Sequence, residues 1–151
     1  MAAISQQKTR LVGADKMELV SVVIPCFNSE KTIVQCVLSV LETKDPQIEV
    51  IVVDDASTDK SPQLVKALAA AHANAIKLYR QSTNGGPAKA RNAGAARAKG
   101  KYLFFLDSDT EMGPYTIKNF RHRILGADAV IGIYDKQPLN SGWVPLYKAL
   151  L

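Results

Sequence analysis

Short apolar runs alternate with helix-patterned segments along most of the chain, and this alternation constrains the fold more than any other feature. Residues 19–24, Leu-Val-Ser-Val-Val-Ile, read as a buried strand that Pro25 ends, because proline donates no ladder hydrogen bond. Between residues 31 and 43, Ile33, Val37, Val40 and Leu41 recur at helical spacing, with Val34 and Leu38 widening the stripe. Residues 49–53 are a continuous, mainly β-branched run, as expected of a strand buried on both faces. Ser61-Pro62 then reads as an N-cap followed by proline at the first helical position, opening a helix to about His72.

The same rhythm continues downstream. Residues 75–79 read as a strand, 87–99 as a helix opened by Pro87 and closed by Gly100, and 102–106 as a strand. A helix over 113–125 and a strand over 127–133 follow. Strands separated by helices of this length imply βαβ units and an α/β fold with a mainly parallel sheet.

In such a sheet, ligands bind outside the carboxyl ends of the strands. The polar residues therefore matter by position. Asn28 and Glu30 follow the first strand, and Asp54, Asp55, Ser57 and Asp59 follow the second. Asn84, Gly85 and Gly86 follow the third, and Asp107, Ser108 and Asp109 the fourth. All four clusters are expected on one edge of the sheet.

Composition narrows the function classes. The 151 residues are 47% hydrophobic and 22% charged, enough apolar material for a core without disulfides. Cys26 and Cys36 match no zinc or redox spacing and read as buried apolar residues, in keeping with a reduced, cytoplasmic compartment. The formal charge of +5 suits a nucleotide diphosphate or a phospholipid surface. It comes without a stripe of bases interleaved with aromatics, which argues against nucleic acid. No Gly-x-Gly-x-x-Gly follows the first strand, and no Gly-x-x-x-x-Gly-Lys-Ser/Thr or Gly-x-Ser-x-Gly occurs. Classical dinucleotide binding, P-loop chemistry and a hydrolase elbow are thereby disfavoured. His72 and His122 have no partner at ligand spacing and read as surface or packing residues. Residues 1–18 carry five charged side chains and read as a loosely ordered leader. The apolar stretch from Trp143 to Leu151 has no stop signal and reads as a cut within a larger protein.

Three clusters carry chemistry. Asp107 and Asp109, two residues apart directly after a strand, suit a shared hard cation such as Mg²⁺ or Mn²⁺, which takes oxygen ligands. Asp54 and Asp55 suit acceptance of hydrogen bonds from a base or ribose; Ser61 suits helix capping, and Asp59 suits either role. The stretch from Asn84 to Pro87 opens a helix carrying Lys89, Arg91 and Asn92, where glycine N–H groups and a helix N-terminus favour an anion.

These segments resemble glycosyltransferase family 2. The resemblance rests on Val-Val-Ile-Pro-Cys-Phe-Asn (22–28) with Glu30, Val-Asp-Asp-Ala-Ser-Thr-Asp (53–59), Gly-Pro-Ala-Lys-Ala-Arg-Asn-Ala-Gly (86–94) and Phe-Leu-Asp-Ser-Asp (105–109). Their order and spacing match over roughly residues 20–133. The resemblance implies a GT-A-type, Rossmann-like sheet flanked by helices, truncated before the acceptor half. It divides the chain into a leader (1–18), a nucleotide-sugar-binding domain (19–133) and the start of an acceptor-side region (134–151).

It further implies inverting transfer of a sugar from a nucleoside-diphosphate sugar to an acceptor sugar, lipid or polyprenyl phosphate, in envelope polysaccharide or glycolipid synthesis. Pro25, Asn28, Glu30, Asp54 or Asp55, Gly86, Arg91 and Asp107 would line the donor pocket. Asp109, with Asp107, would bind the metal. Phe27 stands where the family often has tyrosine. The family's catalytic base lies well downstream, and Asp128 and Asp135, the carboxylates after Glu111, come too early to match. The base is therefore expected beyond Leu151, and this chain is expected to bind donor without transferring. Membrane association would come through the acceptor half. A non-catalytic nucleotide-sugar-binding module and a receiver-like signalling domain are the rival readings; the latter leaves Asn84–Pro87 and Arg91 without a purpose.

Overall fold

The computed structural model describes residues 17–132. The expected leader, apart from residues 17–18, and the segment 134–151 lie outside the described residues. That segment is the expected start of the acceptor-side region, and Asp135 falls in it. The elements are β1 (Val20–Cys26), α1 (Ile33–Glu42), β2 (Ile48–Asp54), α2 (Ser61–Ala71), β3 (Ile76–Arg80), α3 (Pro87–Ala95), β4 (Tyr102–Phe105) and α4 (Thr116–Ile124). One compact unit runs to Pro114 and holds everything through β4; α4 belongs to a second unit that begins at Tyr115. The expected strand over 127–133 is not formed across the described residues 127–132. Ile131 there is 92% exposed. An apolar run becomes a strand only when a partner takes up its backbone donors and acceptors.

The four strands are all parallel, in the order β3-β2-β1-β4. The chain steps outward from β1 through β2 to β3, then returns through α3 to place β4 on the other side of β1. The order therefore reverses between β1 and β4, and a crevice is expected at their carboxyl ends. Val20, Val22, Val23, Ile24, Val50, Ile51, Val52 and Val53 are at most 1% exposed, so the central strands are buried on both faces. Each such side chain contributes about 1.5–3 kcal/mol through burial.

α3 packs across β1 and β2, with Ala90 seated on Val23, Ile51 and Val53. Gly94 permits this close approach. A Cβ at that position would stand 2.3 Å from Val23 Cγ1 and 3.2 Å from Val53 Cγ2.

Three boundaries differ from the sequence reading, each for a local reason. Pro25 lies inside β1, opposite Val53, instead of ending it. Val20 and Cys26 bond towards the β2 side, through Gln47 O and Asp55 N, whereas Val23 O receives Leu106 N on the β4 side. By alternation Pro25 also faces the β4 side. The β4 pairing has already stopped at Val23–Phe105, so no ladder donor is missed there. Ser61 is the first helical residue of α2, not its cap. Asp59 Oδ1 accepts from Ser61 N, and Ser61 Oγ is occupied by Ser29 N. α3 ends at Ala95, and Gly100 instead donates its N–H to Ser21 Oγ at 2.8 Å.

That last bond belongs to a buried polar cluster beneath the sheet edge. Glu49, 4% exposed, accepts from Ser21 Oγ (2.7 Å), Lys77 Nζ (2.6 Å) and Lys99 N (2.7 Å). Burial alone would raise the Glu49 pKa, but these three donors outweigh it and leave the value lowered.

Candidate functional site

The loops that leave β1 and β2 are stitched to each other. Asn28 N donates to Ser57 Oγ at 2.9 Å, and Thr58 N donates to Asn28 Oδ1 at 2.9 Å. Glu30 N donates to Asp59 Oδ2 at 2.9 Å, and Lys60 N donates to Glu30 Oε2 at 3.0 Å. Each loop thus caps the other, and Glu30 helps to satisfy the start of α2 from outside it. Burial of Asp59 acts to raise its pKa, but bonds from Ser61 and Glu30 win and lower it. Asn28 and Ala56 hold positive φ angles of 48° and 60°. Asn tolerates that region readily, while Ala does so at a cost of about 1–3 kcal/mol.

The acidic pair after β2 divides its labour. Asp54 is 1% exposed and does not border the cleft; its Oδ2 lies 3.2 Å from Arg80 Nε. Neither Asp54 oxygen finds a hydrogen bond of good geometry, so the Arg80 charge is its compensation. Asp55 does border the cleft. Its carboxylate accepts from Gly85 N (2.9 Å) and Gly86 N (2.7 Å). The sequence alone treats Asp54 and Asp55 as equivalent base contacts; Asp55 alone is positioned at the cleft. The sequence also offers the glycine N–H groups to an anion. Those of Gly85 and Gly86 are already taken by Asp55, and the φ of 84° at Gly86 lets the chain turn into α3 while holding them.

The fourth cluster meets α1 and α3. Arg91 Nη2 of α3 forms an ion pair with Asp107 Oδ1, both side chains partly exposed. Cys36 Sγ donates to Asp107 O at 3.4 Å, and Ser29 Oγ and Ser108 Oγ share a bond of 2.8 Å. Asp109 sits on the turn closed by Thr110 N and Asp107 O, is exposed, and forms no hydrogen bond or ion pair among the described residues. The Ser29–Ser108 link, which ties the β1 loop to Asp107–Asp109, is not foreseen by the motifs. Its only sequence signal is the place of Ser29 between Asn28 and Glu30. Burial raises the Cys26 and Cys36 thiols to about 11 and about 12, so both are inert in this setting.

Together these loops enclose a cleft of about 940 Å³ at the carboxyl edge. Pro25, Asn28, Glu30, Asp55, Gly86, Arg91, Asp107 and Asp109 all line it, as do Phe27 and Lys31. Five carboxylates there face only two cations, Lys31 and Arg91. A cation arriving with a phosphate chain would offset this excess of negative charge. Among the described residues no three His, Cys, Asp or Glu side chains gather to hold a metal by themselves. The free carboxylate of Asp109 beside the paired Asp107 suits a hard divalent ion that takes its other oxygens from phosphate and water.

The chain is similar to known glycosyltransferases. GlyG, a glycosyltransferase of Streptococcus pneumoniae, is 38% identical over 127 residues, which cover 83% of this chain and 42% of GlyG. The crystal structure of Staphylococcus aureus TarS 1-349 in complex with UDP-GlcNAc matches with a TM-score of 0.64 and 35% identity. It covers 72% of this chain and 31% of that one. TarS is a poly(ribitol-phosphate) beta-N-acetylglucosaminyltransferase. The mannosyltransferase PcManGT of Pyrobaculum calidifontis, in complex with GDP-Man and Mn²⁺, matches with a TM-score of 0.69 and 28% identity over 78% of this chain and 35% of that one. The chain therefore spans less than half the length of these proteins, and its parallel sheet flanked by helices is the GT-A arrangement of their N-terminal parts. The family profile "Glycosyl transferase family 2" matches residues 21–149, and the chain belongs to that family.

Proposed function

We propose that the protein to which these residues belong transfers a sugar, with inversion, from a nucleoside-diphosphate sugar to an acceptor, and that this chain supplies the donor site. The observation that carries the reading is the cleft at the β1/β4 switch point, lined together by uncommitted Asp109, Arg91-paired Asp107 and Asp55. Asp55 and Pro25 would flank the base, with Asn28, Glu30 and Gly86 framing the pocket through the loops they hold. Arg91 and Asp107 would face the diphosphate. Asp109, with Asp107, would hold Mg²⁺ or Mn²⁺, which supplies Lewis-acid stabilisation of the departing diphosphate.

UDP-GlcNAc bound to TarS, and GDP-Man with Mn²⁺ bound to PcManGT, support both the donor class and the metal. The catalytic base would lie in the part of the relatives' length that this chain does not span. An acceptor in envelope polysaccharide, glycolipid or polyprenyl-phosphate-sugar synthesis fits relatives such as TarS. A cytoplasmic site at the inner membrane face belongs to the same proposal. None of the described helices is long and apolar enough to cross a membrane.

Calorimetric titration with a panel of UDP- and GDP-sugars, with Mn²⁺ or with chelator, tests the reading. One donor should bind, and chelation should weaken it at least about tenfold, roughly 1.4 kcal/mol. Asp109→Ala should abolish most of that metal response. Identical titrations for wild type and Asp109→Ala in Mn²⁺ would reject the assignment.

A further inference from the structure

A second groove, of about 210 Å³, lies on the other side of α3, between that helix and the end of β3. Arg80, Lys89 and Arg97 line it with Tyr79, Gln81 and Ser82, and no carboxylate does. The contrast with the donor cleft is electrostatic: one carries an excess of acids, the other carries bases alone. Lys89 and Arg91 are two residues apart on one helix, so they project to different sides. Arg91 serves the cleft and Lys89 the groove.

Two observations separate this groove from an ordinary solvated basic face. Arg97 is fixed in place: Nη1 donates to Ala93 O at 2.7 Å, and the guanidinium lies 4.9 Å from the Tyr79 ring centroid. Gln81 Nε2 is buried and has no acceptor. A buried amide donor without a partner is disfavoured; an outward turn of the Gln81 side chain on ligand binding would carry it to an oxygen in the groove. Arg80 is already offset by Asp54 and bonded to Ser57 O, so it adds field more than a direct contact. Lys89 and Arg97 form no ion pair among the described residues. The volume corresponds to about seven waters, room for a phosphate or diphosphate group.

We propose that the groove between α3 and β3 is an anion site, distinct from the donor cleft, that takes a phosphate or diphosphate group on Lys89, Arg97 and the Gln81 amide. A site of this kind would hold a phosphorylated ligand on the same helix that positions Arg91.

Inorganic pyrophosphate, titrated into the ¹⁵N-labelled chain in chelator, is the direct probe. The Gln81 side-chain amide and the backbone amides of Ser82 and Thr83 should shift in a saturable way. Lys89→Gln should weaken the binding at least about tenfold. Gln81→Leu, nearly isosteric and neutral, should weaken it too while leaving the melting temperature at or above that of wild type. UDP binding in Mn²⁺ should be unchanged in both variants. Phosphatidylcholine vesicles with and without phosphatidic acid form a second arm. Lys89-dependent vesicle binding identifies a lipid headgroup as the source, and pyrophosphate binding without it identifies a soluble one. Shifts confined to Arg91, Ser108 and Asp109, variants that titrate like wild type, or an equal loss of UDP binding would each overturn the proposal.

Discussion

Gly94→Ala sets two opposing effects against each other, and the structure decides the sign. In an exposed helix interior the change would gain about 1 kcal/mol, because alanine is the better helix former. Here the new Cβ would meet Val23 Cγ1 at 2.3 Å and Val53 Cγ2 at 3.2 Å. Ordinary carbon contacts lie near 3.5–4.0 Å. The overlap with Val23 therefore exceeds 1 Å, and neither valine has room, being 0% and 1% exposed in the two central strands. The helix must lift, at an overpacking cost of about 1–3 kcal/mol and occasionally more. An overlap this large calls for the upper part of that range, so net destabilisation of about 1–2 kcal/mol remains after the propensity gain. For a chain of 151 residues that lowers the melting temperature by about 2–8 °C. Arg91 lies three residues upstream on the same helix, so lifting α3 also pulls its guanidinium from Asp107. Thermal melts followed by circular dichroism give the first quantity, and UDP titration in Mn²⁺ gives the second. A variant that melts at or above wild type would refute the close-approach argument outright.

Two further outcomes are expected. Glu49→Ala strands the fully buried Ser21 hydroxyl and the Lys99 N–H, and should cost about 3 kcal/mol in urea denaturation with an unchanged m-value. The folded-state pKa of Glu49 is lowered, so its contribution is present above the unfolded carboxylate value and lost as pH falls through the folded one. Glu49→Gln should therefore flatten the acid limb of the stability profile, and an unaltered limb would contradict the assignment. Cys26 and Cys36, raised to about 11 and about 12, should resist iodoacetamide at pH 8 in the native state and react in denaturant. Rapid native labelling of either would show that its burial is not maintained.

The sheet is legible in the sequence because its central strands are continuous β-branched runs, a pattern that a two-face-buried parallel strand requires. The four loop clusters follow from the strands, since a parallel sheet places all carboxyl ends on one edge. The misreadings are of pairing rather than propensity. Pro25 reads as a terminator until it is known that β4 stops at Phe105, which leaves no ladder donor for the proline to miss. Gly100 reads as a helix cap until Ser21 is known to sit beside it. The run at 127–132 has strand composition but no partner strand among the described residues, and composition does not reveal partners. Within the site, residue types predict location but not task. Asp54 and Asp55 are chemically identical neighbours, and only the alternation of β2 with Arg80 on one side and the Gly85–Gly86 loop on the other separates them.

That separation suggests how the cleft is organised. Several polar residues that read as ligand contacts are already committed: Asn28 to Thr58, Glu30 to Lys60, Asp59 to Ser61, Asp55 to two glycine amides. A loop-built pocket needs such commitments, because each loop carries backbone donors that its own strand or helix does not satisfy. Satisfying them across loops fixes the walls before any ligand arrives, which reduces the ordering cost of binding. Asp107 is intermediate, paired with Arg91 but on an exposed bond that a phosphate could share. Of the cleft carboxylates among the described residues, Asp109 alone is unengaged. Substituting the committed residues should therefore degrade stability and affinity together. Asp109→Ala should leave the stability of the metal-free chain within about 0.5 kcal/mol of wild type, as surface changes do, while removing the metal response of the donor. A large loss of stability in Asp109→Ala would show that this carboxylate, too, is part of the frame.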